Sequence, residues 1–354
     1  MTGEPTTPTP SFAVYSAGTD LRPMAIERRL PRPRDVQIEI DFCGVCHTDL
    51  HYARNDWGNA VFPVVPGHEI VGHVTALGND VTDLDVGQRA AVGCFVDSCR
   101  TCDACKSQLE SYCTQGLVMT YNTPCNDPGG ITYGGYSKRI VVDRDFVLTV
   151  PAGLDSAGTA PLLCAGITTY SPLREWQAGP GQRVGVIGLG GLGHMAIKIA
   201  AAMGARVTLI SRSTQKASDA KRLGASDILI STDAEAMDRG KESFDLILNT
   251  IPVPHDFNPY MSLLRLDGTM CILGAVGPEA SLDSSPLIMQ RRRIAGSFVG
   301  GLAETQEMLD FCGSHGIVSD IEMISMVEIN DAFVRLRKSD VKYRFVIDMA
   351  TLSD

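Results

Sequence analysis

The 354-residue sequence has no long hydrophobic run and few aromatic side chains, which make up 6% of its residues. Its most apolar segment, Met195–Ile210, is interrupted by Lys198 and Arg206 and is shorter than the ~20 apolar residues that span a bilayer. The first ten residues, MTGEPTTPTP, have neither the basic cluster nor the apolar stretch of an export or transit signal. We therefore expect a mobile tail at this end and a cytoplasmic protein.

Basic side chains are in the minority, since 31 Lys and Arg residues stand against 41 Asp and Glu residues and leave a formal net charge of −10. A surface of that sign repels nucleic acid and anionic membranes, so we expect neither as a partner. A hydrophobic fraction of 44% excludes disordered, collagen-like and coiled-coil classes. At ~150 residues per domain, the length predicts two domains.

The sequence also lacks the cysteine arrangement of a secreted disulfide framework. Its 11 cysteines are odd in number, and four of them, Cys99, Cys102, Cys105 and Cys113, form the pattern C-x2-C-x2-C-x7-C within a polar stretch. Four thiolates so close in sequence can close a tetrahedral shell around one Zn²⁺, which predicts a structural zinc site. An iron–sulfur cluster and four reduced thiols are the alternatives.

The character of the sequence changes along the chain. Between Phe12 and Pro151, short apolar runs such as Val36–Phe42 and Ile70–Leu77 are separated by Gly, Pro and Asp, which is typical of a β-rich domain. Between Pro161 and Phe298, short apolar strands alternate with helical patterns. This alternation predicts βαβ units, a doubly wound parallel sheet and an α/β fold class.

Individual elements can be predicted in this second part and after it. The predicted strands are Arg183–Ile187, Arg206–Ser211, Asp227–Ile230, Phe244–Asn249 and Met270–Leu273. The predicted helices are His194–Met203 and Lys216–Leu223. After Leu302 we predict helices over Glu304–Cys312 and Asn330–Arg337 and a closing strand over Tyr343–Ile347.

A glycine-rich turn joins the first of these strands to the helix that follows it. The turn has the form G-x-G-x-x-G and consists of Gly188, Leu189, Gly190, Gly191, Leu192 and Gly193. In such a turn the first glycine allows a tight bend, the second lets the backbone approach a pyrophosphate, and the third lets the helix pack on the strand. The flanking strand and helix favour a dinucleotide site, and a turn that is glycine-rich by chance is the alternative.

The end of the next strand bears on the choice of nicotinamide cofactor. An acidic residue there would bind the ribose 2′-hydroxyl and repel a 2′-phosphate, but no acid occurs from Arg206 to Ala217. Instead, the strand ends in a loop of hydroxyls and cations that suits a phosphate, namely Ser211, Arg212, Ser213 and Lys216. This predicts NADP(H), whereas a solvated loop with chance charges would leave the cofactor open.

Other residue types that serve metal binding or proton transfer are scattered along the chain. They are Cys46, His47, Thr48, Asp49 and His51 in CGVCHTDLH, His68 and Glu69 in PGHE, and Cys164 in PLLCAG. Each is a weak indication alone, because a buried Cys is usually a small hydrophobe and a lone His more often a structural residue. By themselves, Thr48 would be read as a helix N-cap and His51 as an exposed helical histidine.

Taken together, these segments resemble the zinc-dependent medium-chain alcohol dehydrogenases over essentially the whole chain. Within that family the chain is similar to the cinnamyl alcohol dehydrogenase branch, which includes bacterial broad-specificity aldehyde reductases. The matching segments are CGVCHTDLH, PGHEIVG, the four-cysteine loop, PLLCAGIT, GLGGLGH and GSFVGGLAETQEMLDFC. The resemblance implies a GroES-like β-rich catalytic domain over residues 1–158, to which residues 300–354 return, and a Rossmann NADP(H)-binding domain over residues 159–299.

The resemblance further implies two zinc ions in each chain. The second, catalytic ion would be bound by Cys46, His68 and Cys164, with Glu69 beside it as an occasional extra ligand. Asp49 would support the His68 imidazole from behind.

Family roles also extend to proton transfer and cofactor contacts. Thr48 would hydrogen-bond the substrate oxygen, and the proton would leave through the cofactor ribose and His51, because imidazole exchanges protons near neutral pH. His47 would contact the pyrophosphate, and Thr168 is a further candidate for cofactor binding.

Candidate walls of the substrate pocket come from the same resemblance. They are Trp57, Met119, Tyr121, Met289 and Phe298, of which Phe298 lies inside a matching segment. Apolar or aromatic walls would suit aromatic or medium-chain aldehydes. Each of these side chains could equally belong to an ordinary core.

The sequence therefore predicts a zinc-dependent oxidoreductase that transfers hydride between NADP(H) and a primary alcohol/aldehyde pair. We also expect a homodimer, in which the strand near Arg293–Val299 extends the sheet across a two-fold axis. The alternatives are a related reductase acting on an activated C=C bond or an iminium, and a non-catalytic NADP(H)-binding sensor. The presence of every ligand and relay residue argues against both.

Overall fold

The computed structural model describes residues 5–274 and 282–353. Its strands are β1 (Thr6–Ala13), β2 (Arg22–Arg29), β3 (Asp35–Val45), β4 (Ile70–Leu77), β5 (Arg89–Val92), β6 (Phe95–Asp97), β7 (Val118–Met119), β8 (Arg139–Asp143), β9 (Leu148–Thr149), β10 (Arg183–Ile187), β11 (Arg206–Ser211), β12 (Asp227–Ile230), β13 (Phe244–Asn249), β14 (Leu264–Ile272), β15 (Arg293–Gly296), β16 (Ile321–Ser325) and β17 (Arg344–Asp348).

The α-helices of the same residues are α1 (His47–Arg54), α2 (Asp103–Lys106), α3 (Ser156–Thr159), α4 (Ala165–Glu175), α5 (Gly191–Ala202), α6 (Ala217–Leu223), α7 (Ala234–Arg239), α8 (Asn258–Met261), α9 (Ser285–Gln290), α10 (Leu302–His315) and α11 (Ile329–Arg337). Short 3₁₀ helices include Ala160–Leu163 and Thr214–Lys216. Over the described part of the chain, no helix is both long and apolar enough to cross a membrane.

The chain divides into two compact units, residues 1–164 with 301–354 and residues 165–300. The first unit is built on a seven-stranded sheet with the order β16-β17-β3-β4-β5-β9, to which β8 adds by pairing with β3. Strand β3 therefore lies in the middle of the sheet. The domain assignment of the sequence, with a boundary after residue 158, stays a prediction.

Alternation along β3 explains why this segment forms a central strand. Val36, Ile38 and Ile40 are at most 2% exposed and point into the core of the first unit, where they pack with the buried residues of neighbouring strands. Alternation of this kind is the pattern of a strand with one buried face. The predicted β-rich texture of the first part of the chain is thereby confirmed.

The N-terminal segment is not the mobile tail that the sequence predicts. Residues Thr6–Ala13 form β1, which pairs antiparallel with β2 in register from Thr6 opposite Arg29 to Ala13 opposite Arg22. Threonine side chains favour extended backbone, and prolines are tolerated on an edge strand. The tail prediction is wrong for these residues, and residues 1–4 lie outside the described part of the chain.

The second unit is a parallel sheet of six strands in the order β12-β11-β10-β13-β14-β15. Every neighbouring pair is parallel, and helices α4 to α9 belong to the same unit. In β10, Val184, Val186 and Ile187 are at most 1% exposed, as expected of a strand buried on both faces. The α/β class and the doubly wound sheet are confirmed.

Most predicted elements of this unit are present with small shifts at their ends. The strands over Arg183–Ile187, Arg206–Ser211, Asp227–Ile230 and Phe244–Asn249 are found as predicted. Helices α4, α7, α8 and α9 of this unit were not predicted, nor was strand β16 of the first unit. Helix α4 is buried at most of its positions and contains Pro172, so it shows no clear apolar stripe that a sequence pattern could reveal.

The close approach of β4 to β3 gives a testable prediction about Gly72. A Cβ atom at Gly72 would lie 1.9 Å from the Glu39 carbonyl oxygen, which is backbone and cannot move aside. Gly72→Ala should therefore destabilise the fold by about 3 kcal/mol, the cost typical of an overpacked core. Thermal unfolding measures this loss, with Gly153→Ala as the control because no atom lies within 4 Å of its Cβ position. Equal melting temperatures for the two variants would contradict the prediction.

Candidate active site

Two antiparallel strands bring the first metal-ligand candidates together. Strand β3 leads into Cys46, and β4 begins directly after His68 and Glu69. The Gly44 N–H donates to the Glu69 carbonyl oxygen at 2.9 Å. Because antiparallel neighbours run in opposite directions, the end of β3 lies beside the start of β4. Cys46 and His68 therefore meet although they are distant in the sequence.

The thiol of Cys164 completes this group. Its sulfur lies 3.9 Å from that of Cys46, and one ligand atom each from Cys46, His68, Glu69 and Cys164 lie within 4.8 Å of one another. A hydrogen bond from Cys164 holds the pKa of Cys46 well below its usual value, although burial opposes the shift. Two thiols, an imidazole and a carboxylate are the donor types of open zinc sites, so these residues fit the catalytic ion.

The carboxylate of Asp49 holds this group together. It is fully buried and accepts hydrogen bonds from the Cys46 N–H at 2.8 Å, the Gly67 N–H at 3.1 Å and the Tyr136 hydroxyl at 3.2 Å. Its Oδ1 also lies 3.4 Å from Nδ1 of His68. The bond to Cys46 is half of a capping box at the start of α1, in which Cys46 is the N-cap residue. The local C-x-x-D spacing thus places a thiol at a helix end.

Glu69 is held by a residue from the far end of the sequence. It forms a buried ion pair with Arg344 of β17, and the two side chains are 0% and 5% exposed. Oε2 of Glu69 has no hydrogen-bond partner among the described residues. A Cβ atom at Gly44 would lie 2.0 Å from that oxygen, so only glycine leaves room for it. An unpartnered carboxylate oxygen beside three ligand candidates further supports the fit to a metal ion.

Helix α1 presents both predicted proton-transfer residues. Oγ1 of Thr48 lies 3.6 Å from the Cys46 sulfur. One turn later, Nδ1 of His51 lies 2.9 Å from Oδ2 of Asp56, and the Trp57 ring stands 5.0 Å from the imidazole. Sequence reasoning missed Asp56, although an acidic residue in the turn after the helix was a usable signal. The contact with Asp56 occupies Nδ1 and leaves Nε2 of His51 for exchange.

Two further side chains lie against the metal-ligand group. The Tyr121 ring is only 3% exposed, stands 5.8 Å from the His68 ring, and its hydroxyl has no partner among the described residues. The Cys94 sulfur lies 3.6 Å from the Leu163 carbonyl oxygen, and a hydrogen bond with Cys164 lowers the pKa of Cys94. Tyr121 was expected as a pocket wall and Cys94 had no assigned role, because no local spacing relates either residue to His68.

His47 occupies the first position of α1 beside Cys46 and is half-buried. Burial lowers the pKa of His47, and the nearby charge of Arg344 acts in the same direction. An uncharged imidazole can donate a hydrogen bond but supplies no positive charge. The predicted pyrophosphate contact of His47 stays a prediction.

The four-cysteine loop gathers its sulfur atoms as the spacing predicts. Ligand atoms of Cys99, Cys102, Cys105 and Cys113 lie within 4.8 Å of one another. Helix α2 brings the sulfur atoms of Cys102 and Cys105 to 3.5 Å. Hydrogen bonds from the backbone of Cys105 and Thr114 lower the pKa of Cys102 to about 5, which favours the thiolate that zinc binds. Four thiolates with no other ligand fit a closed, structural zinc site.

Arg100 anchors this loop to the sheet of the first unit. Its guanidinium lies 3.0 Å from Asp97, 3.3 Å from Asp143 and 2.7 Å from Asp145, and it stands over the Phe146 ring at 5.0 Å. Exposed ion pairs contribute little one by one, but three carboxylates around one guanidinium form a network. The ion pairs of Arg100 therefore fix the position of the loop on the first unit, in addition to any metal bound by its cysteines.

The glycines of the turn after β10 have separable roles. Gly188 has a φ of +90°, which strongly favours glycine. A Cβ atom at Gly193 would lie 2.1 Å from the Gly188 carbonyl oxygen, whereas no atom lies within 4 Å of a Cβ position at Gly190. Protein packing therefore requires Gly193, and the space at Gly190 is free for a ligand. Such a turn at the start of α5 fits a pyrophosphate.

The loop after β11 carries the predicted phosphate-binding side chains. Arg212 and Ser213 are exposed, and the Arg212 carbonyl oxygen accepts a hydrogen bond from Oγ1 of Thr232 at 3.0 Å. The Lys216 ammonium donates to the Leu189 carbonyl oxygen at 2.7 Å, so this cation lies directly at the glycine turn. The Ser213 N–H donates to Ser211 Oγ at 3.4 Å. Hydroxyls and cations at this position fit a 2′-phosphate.

The remaining candidates differ in exposure. Trp57 of the first unit is 44% exposed, and Phe298 of the second is 47% exposed. Met119 is half-buried, Met289 is 77% exposed, and Thr168 is buried in α4. Their roles in substrate and cofactor binding stay predictions.

Comparison with known proteins supports the same interpretation. The family model described as an alcohol dehydrogenase GroES-like domain matches residues 32–152, and the model described as a zinc-binding dehydrogenase matches residues 191–314. The chain belongs to the zinc-binding alcohol dehydrogenase family. The family and fold class that the sequence predicts are confirmed.

Three similar proteins illustrate this family. The aldehyde reductase YahK of Escherichia coli is 54% identical over 97% of this chain and 99% of its own length. NADP-dependent alcohol dehydrogenase C 1 of Mycolicibacterium smegmatis is 52% identical over 97% and 98% of the two chains. The cinnamyl alcohol dehydrogenase SbCAD4 from Sorghum bicolor is 45% identical in sequence, and its structure superposes with a TM-score of 0.94 over 98% of this chain and 100% of its own. The predicted enzyme class, a zinc-dependent alcohol/aldehyde oxidoreductase linked to NADP(H), is confirmed.

The glycine turn of this family member gives a prediction that separates ligand binding from packing. Gly190→Ala should leave the melting temperature unchanged and weaken NADPH binding about tenfold or more, because the methyl group fills the space that a pyrophosphate would take. Gly193→Ala should instead destabilise the protein by about 3 kcal/mol. Fluorescence titration with NADPH and thermal unfolding measure the two effects. A Gly190→Ala protein that binds NADPH as tightly as the wild type would contradict this assignment.

Proposed function

We propose that this chain interconverts aromatic or medium-chain primary alcohols and the corresponding aldehydes. The observation that carries the proposal is the buried group of Cys46, His68, Glu69 and Cys164, with a threonine and a histidine on the adjoining helix. The names of the similar proteins, an aldehyde reductase and a cinnamyl alcohol dehydrogenase among them, support an aldehyde substrate. A related reductase that acts without metal catalysis would have no use for the complete ligand set.

Cys46, His68 and Cys164 would hold the catalytic zinc, with Glu69 as an additional ligand. Zinc bound there supplies a Lewis acid that polarises a substrate oxygen. Asp49 orients the His68 imidazole through Nδ1, which leaves Nε2 as the ligand atom. The cysteines Cys99, Cys102, Cys105 and Cys113 would hold the structural zinc.

Proton movement would depend on α1. Thr48 hydrogen-bonds the substrate oxygen, and His51 exchanges the proton with solvent through Nε2. Asp56 supports this exchange because its carboxylate accepts a hydrogen bond from the Nδ1–H and so fixes the orientation of the imidazole. The His51 side chain is 30% exposed, which suits contact with water.

The second unit would hold the cofactor. NADP(H) supplies or accepts the hydride in the reaction. The turn Gly188–Gly193 receives the pyrophosphate, and the 2′-phosphate is bound by the loop residues Ser211, Arg212, Ser213 and Lys216. His47 and Thr168 contribute further cofactor contacts.

Trp57, Met119 and Phe298 would line the substrate pocket. Two of these side chains are large, apolar and nearly half exposed, which suits an aromatic or aliphatic substrate. A homodimer is the expected assembly, since β15 is an edge strand that can pair with a second copy. A cytoplasmic location stays a prediction.

Removing one ligand tests the catalytic assignment. Wild-type protein should contain about two zinc ions per chain, and Cys164→Ser should contain about one. The rate of aldehyde reduction by the variant should fall at least roughly 10–100-fold, because loss of a residue that only supports a ligand already costs that much. Its affinity for NADPH should stay that of the wild type. Metal analysis and initial rates with cinnamaldehyde, benzaldehyde and short aliphatic aldehydes measure this.

Cys125→Ser is the matched control, because Cys125 belongs to neither cysteine group. Full activity of Cys164→Ser would refute the catalytic zinc. If the wild-type protein binds NADPH but reduces none of the aldehydes, the sensor alternative is favoured over this function.

Reversing a charge tests the cofactor assignment. Arg212→Asp should raise the KM for NADPH roughly tenfold or more, because a hydrogen bond to a charged group contributes about 1.5–3 kcal/mol. The KM for NADH should fall or stay constant, so the preference for NADPH should narrow or reverse. Arg239→Asp, at an exposed position of α7, should change neither value. An unchanged preference in Arg212→Asp would show that the 2′-phosphate binds elsewhere.

A further inference from the structure

A histidine with no role in the proposed chemistry closes the turn that follows β13. Nδ1 of His255 lies 2.7 Å from the Val253 carbonyl oxygen, and Nε2 lies 3.0 Å from Nδ2 of Asn249. A carbonyl oxygen can only accept, so Nδ1 carries the proton. Nε2 therefore accepts a hydrogen bond from the Asn249 amide. The rings of Phe257 and Tyr260 pack edge-on against the imidazole at 4.9 and 6.2 Å.

The orientation of the Asn249 amide is determined independently. Its Oδ1 accepts from the Ile251 N–H at 3.2 Å, so its Nδ2 must be the atom that faces His255. Asn249 is fully buried, and its carbonyl oxygen accepts from the Leu273 N–H at 2.9 Å. A buried amide donor without an acceptor is costly. The His255 lone pair satisfies the donor that faces it.

Asn249 lies at the point of the sheet where the strand order reverses. Strand β13 neighbours β10, and the chain continues from these two strands towards opposite edges of the sheet, to β11 and to β14. In sheets of this type, ligands bind at the carboxyl ends of the strands where the order reverses. Both Asn249, the last residue of β13, and the glycine turn after β10 lie at such an end.

Thr250 connects Asn249 to the glycine turn. Its Oγ1 donates to the Ile187 carbonyl oxygen at 2.8 Å, directly before the turn. Cβ atoms at Gly188 and Gly193 would lie 3.2 and 3.4 Å from that Oγ1. Thr250 therefore packs against the first and last glycines of the turn. A shift of Asn249 would move Thr250 and open this contact.

We propose that His255 is a positioning residue for the dinucleotide. Through its Nε2 lone pair it fixes the Asn249 amide, and Asn249 in turn holds Thr250 against the glycine turn. His255 acts through the protein and need not touch the cofactor. This inference rests on the proposed function only in taking the glycine turn as the NADP(H) site.

Three substitutions at His255 separate the lone pair from the bulk of the ring. His255→Gln keeps an acceptor within reach of Asn249, His255→Leu removes it, and His255→Lys places a donor opposite the amide donor. The dissociation constant of NADPH, measured by fluorescence titration, should stay within about twofold for Gln, rise about tenfold for Leu and rise at least as much for Lys. The KM for the aldehyde and the zinc content should stay unchanged in all three.

His315→Leu is the control, since His315 is an exposed histidine of the first unit. Wild-type NADPH affinity in both His255→Leu and His255→Lys would overturn the inference. It is also overturned if His255→Gln binds NADPH as weakly as His255→Leu, because ring packing alone would then explain the loss. If His255→Leu does not fold, the Gln and Lys variants are compared instead, and equal NADPH affinities of these two variants would overturn the inference. Failure of the wild-type protein to bind NADPH would instead refute the proposed function.

Discussion

The buried carboxylate of Asp49 is the interaction on which the metal-ligand group depends. A charge removed from water costs several kcal/mol unless hydrogen bonds replace its hydration. Here the replacement comes from the Cys46 and Gly67 backbone, the Tyr136 hydroxyl and the His68 imidazole. Satisfying this one carboxylate therefore fixes the positions of two ligand-bearing segments. The same hydrogen bonds make a substitution of Asp49 costly, since removal of its carboxylate would leave several buried donors unpaired.

The returning C-terminal segment of the first unit supplies one partner of a buried charge pair. Arg344 reaches Glu69 because β17 pairs with β3, the strand that leads into Cys46. Close packing follows from this arrangement, since Gly44 must lack a side chain to leave room for the Glu69 carboxylate. The second unit uses glycine differently. There the space around Gly190 is open, and the contact of Gly193 with Gly188 serves the fold.

Much of the fold and of the candidate site could be predicted from the sequence wherever the physical cause is local. Strands such as β10 and β13 are apolar because parallel strands are buried on both faces, and turn glycines mark where they end. Helix α4 was missed because burial at most positions removes the amphipathic pattern, and β1 was missed because a threonine- and proline-rich segment resembles a disordered one. Asp56 was missed although it follows His51 closely in the sequence. Cys94 and Tyr136 escaped for another reason. Their contacts join segments whose distance no spacing in the sequence reveals.

The sequence by itself determined the chemistry available to this protein. Four close cysteines, a G-x-G-x-x-G turn and a loop with Arg212 and no acid predict their ligands through residue type and short spacing, which depend on local geometry alone. Only the tertiary structure decided which distant residues meet. The group of Cys46, His68 and Cys164 exists because β3 and β4 run antiparallel and the 3₁₀ helix Ala160–Leu163, which Cys164 caps, packs against them. The acceptor that His255 offers to Asn249 likewise exists only once the turn after β13 is folded, because hydrogen-bond partners are chosen by packing and not by sequence distance.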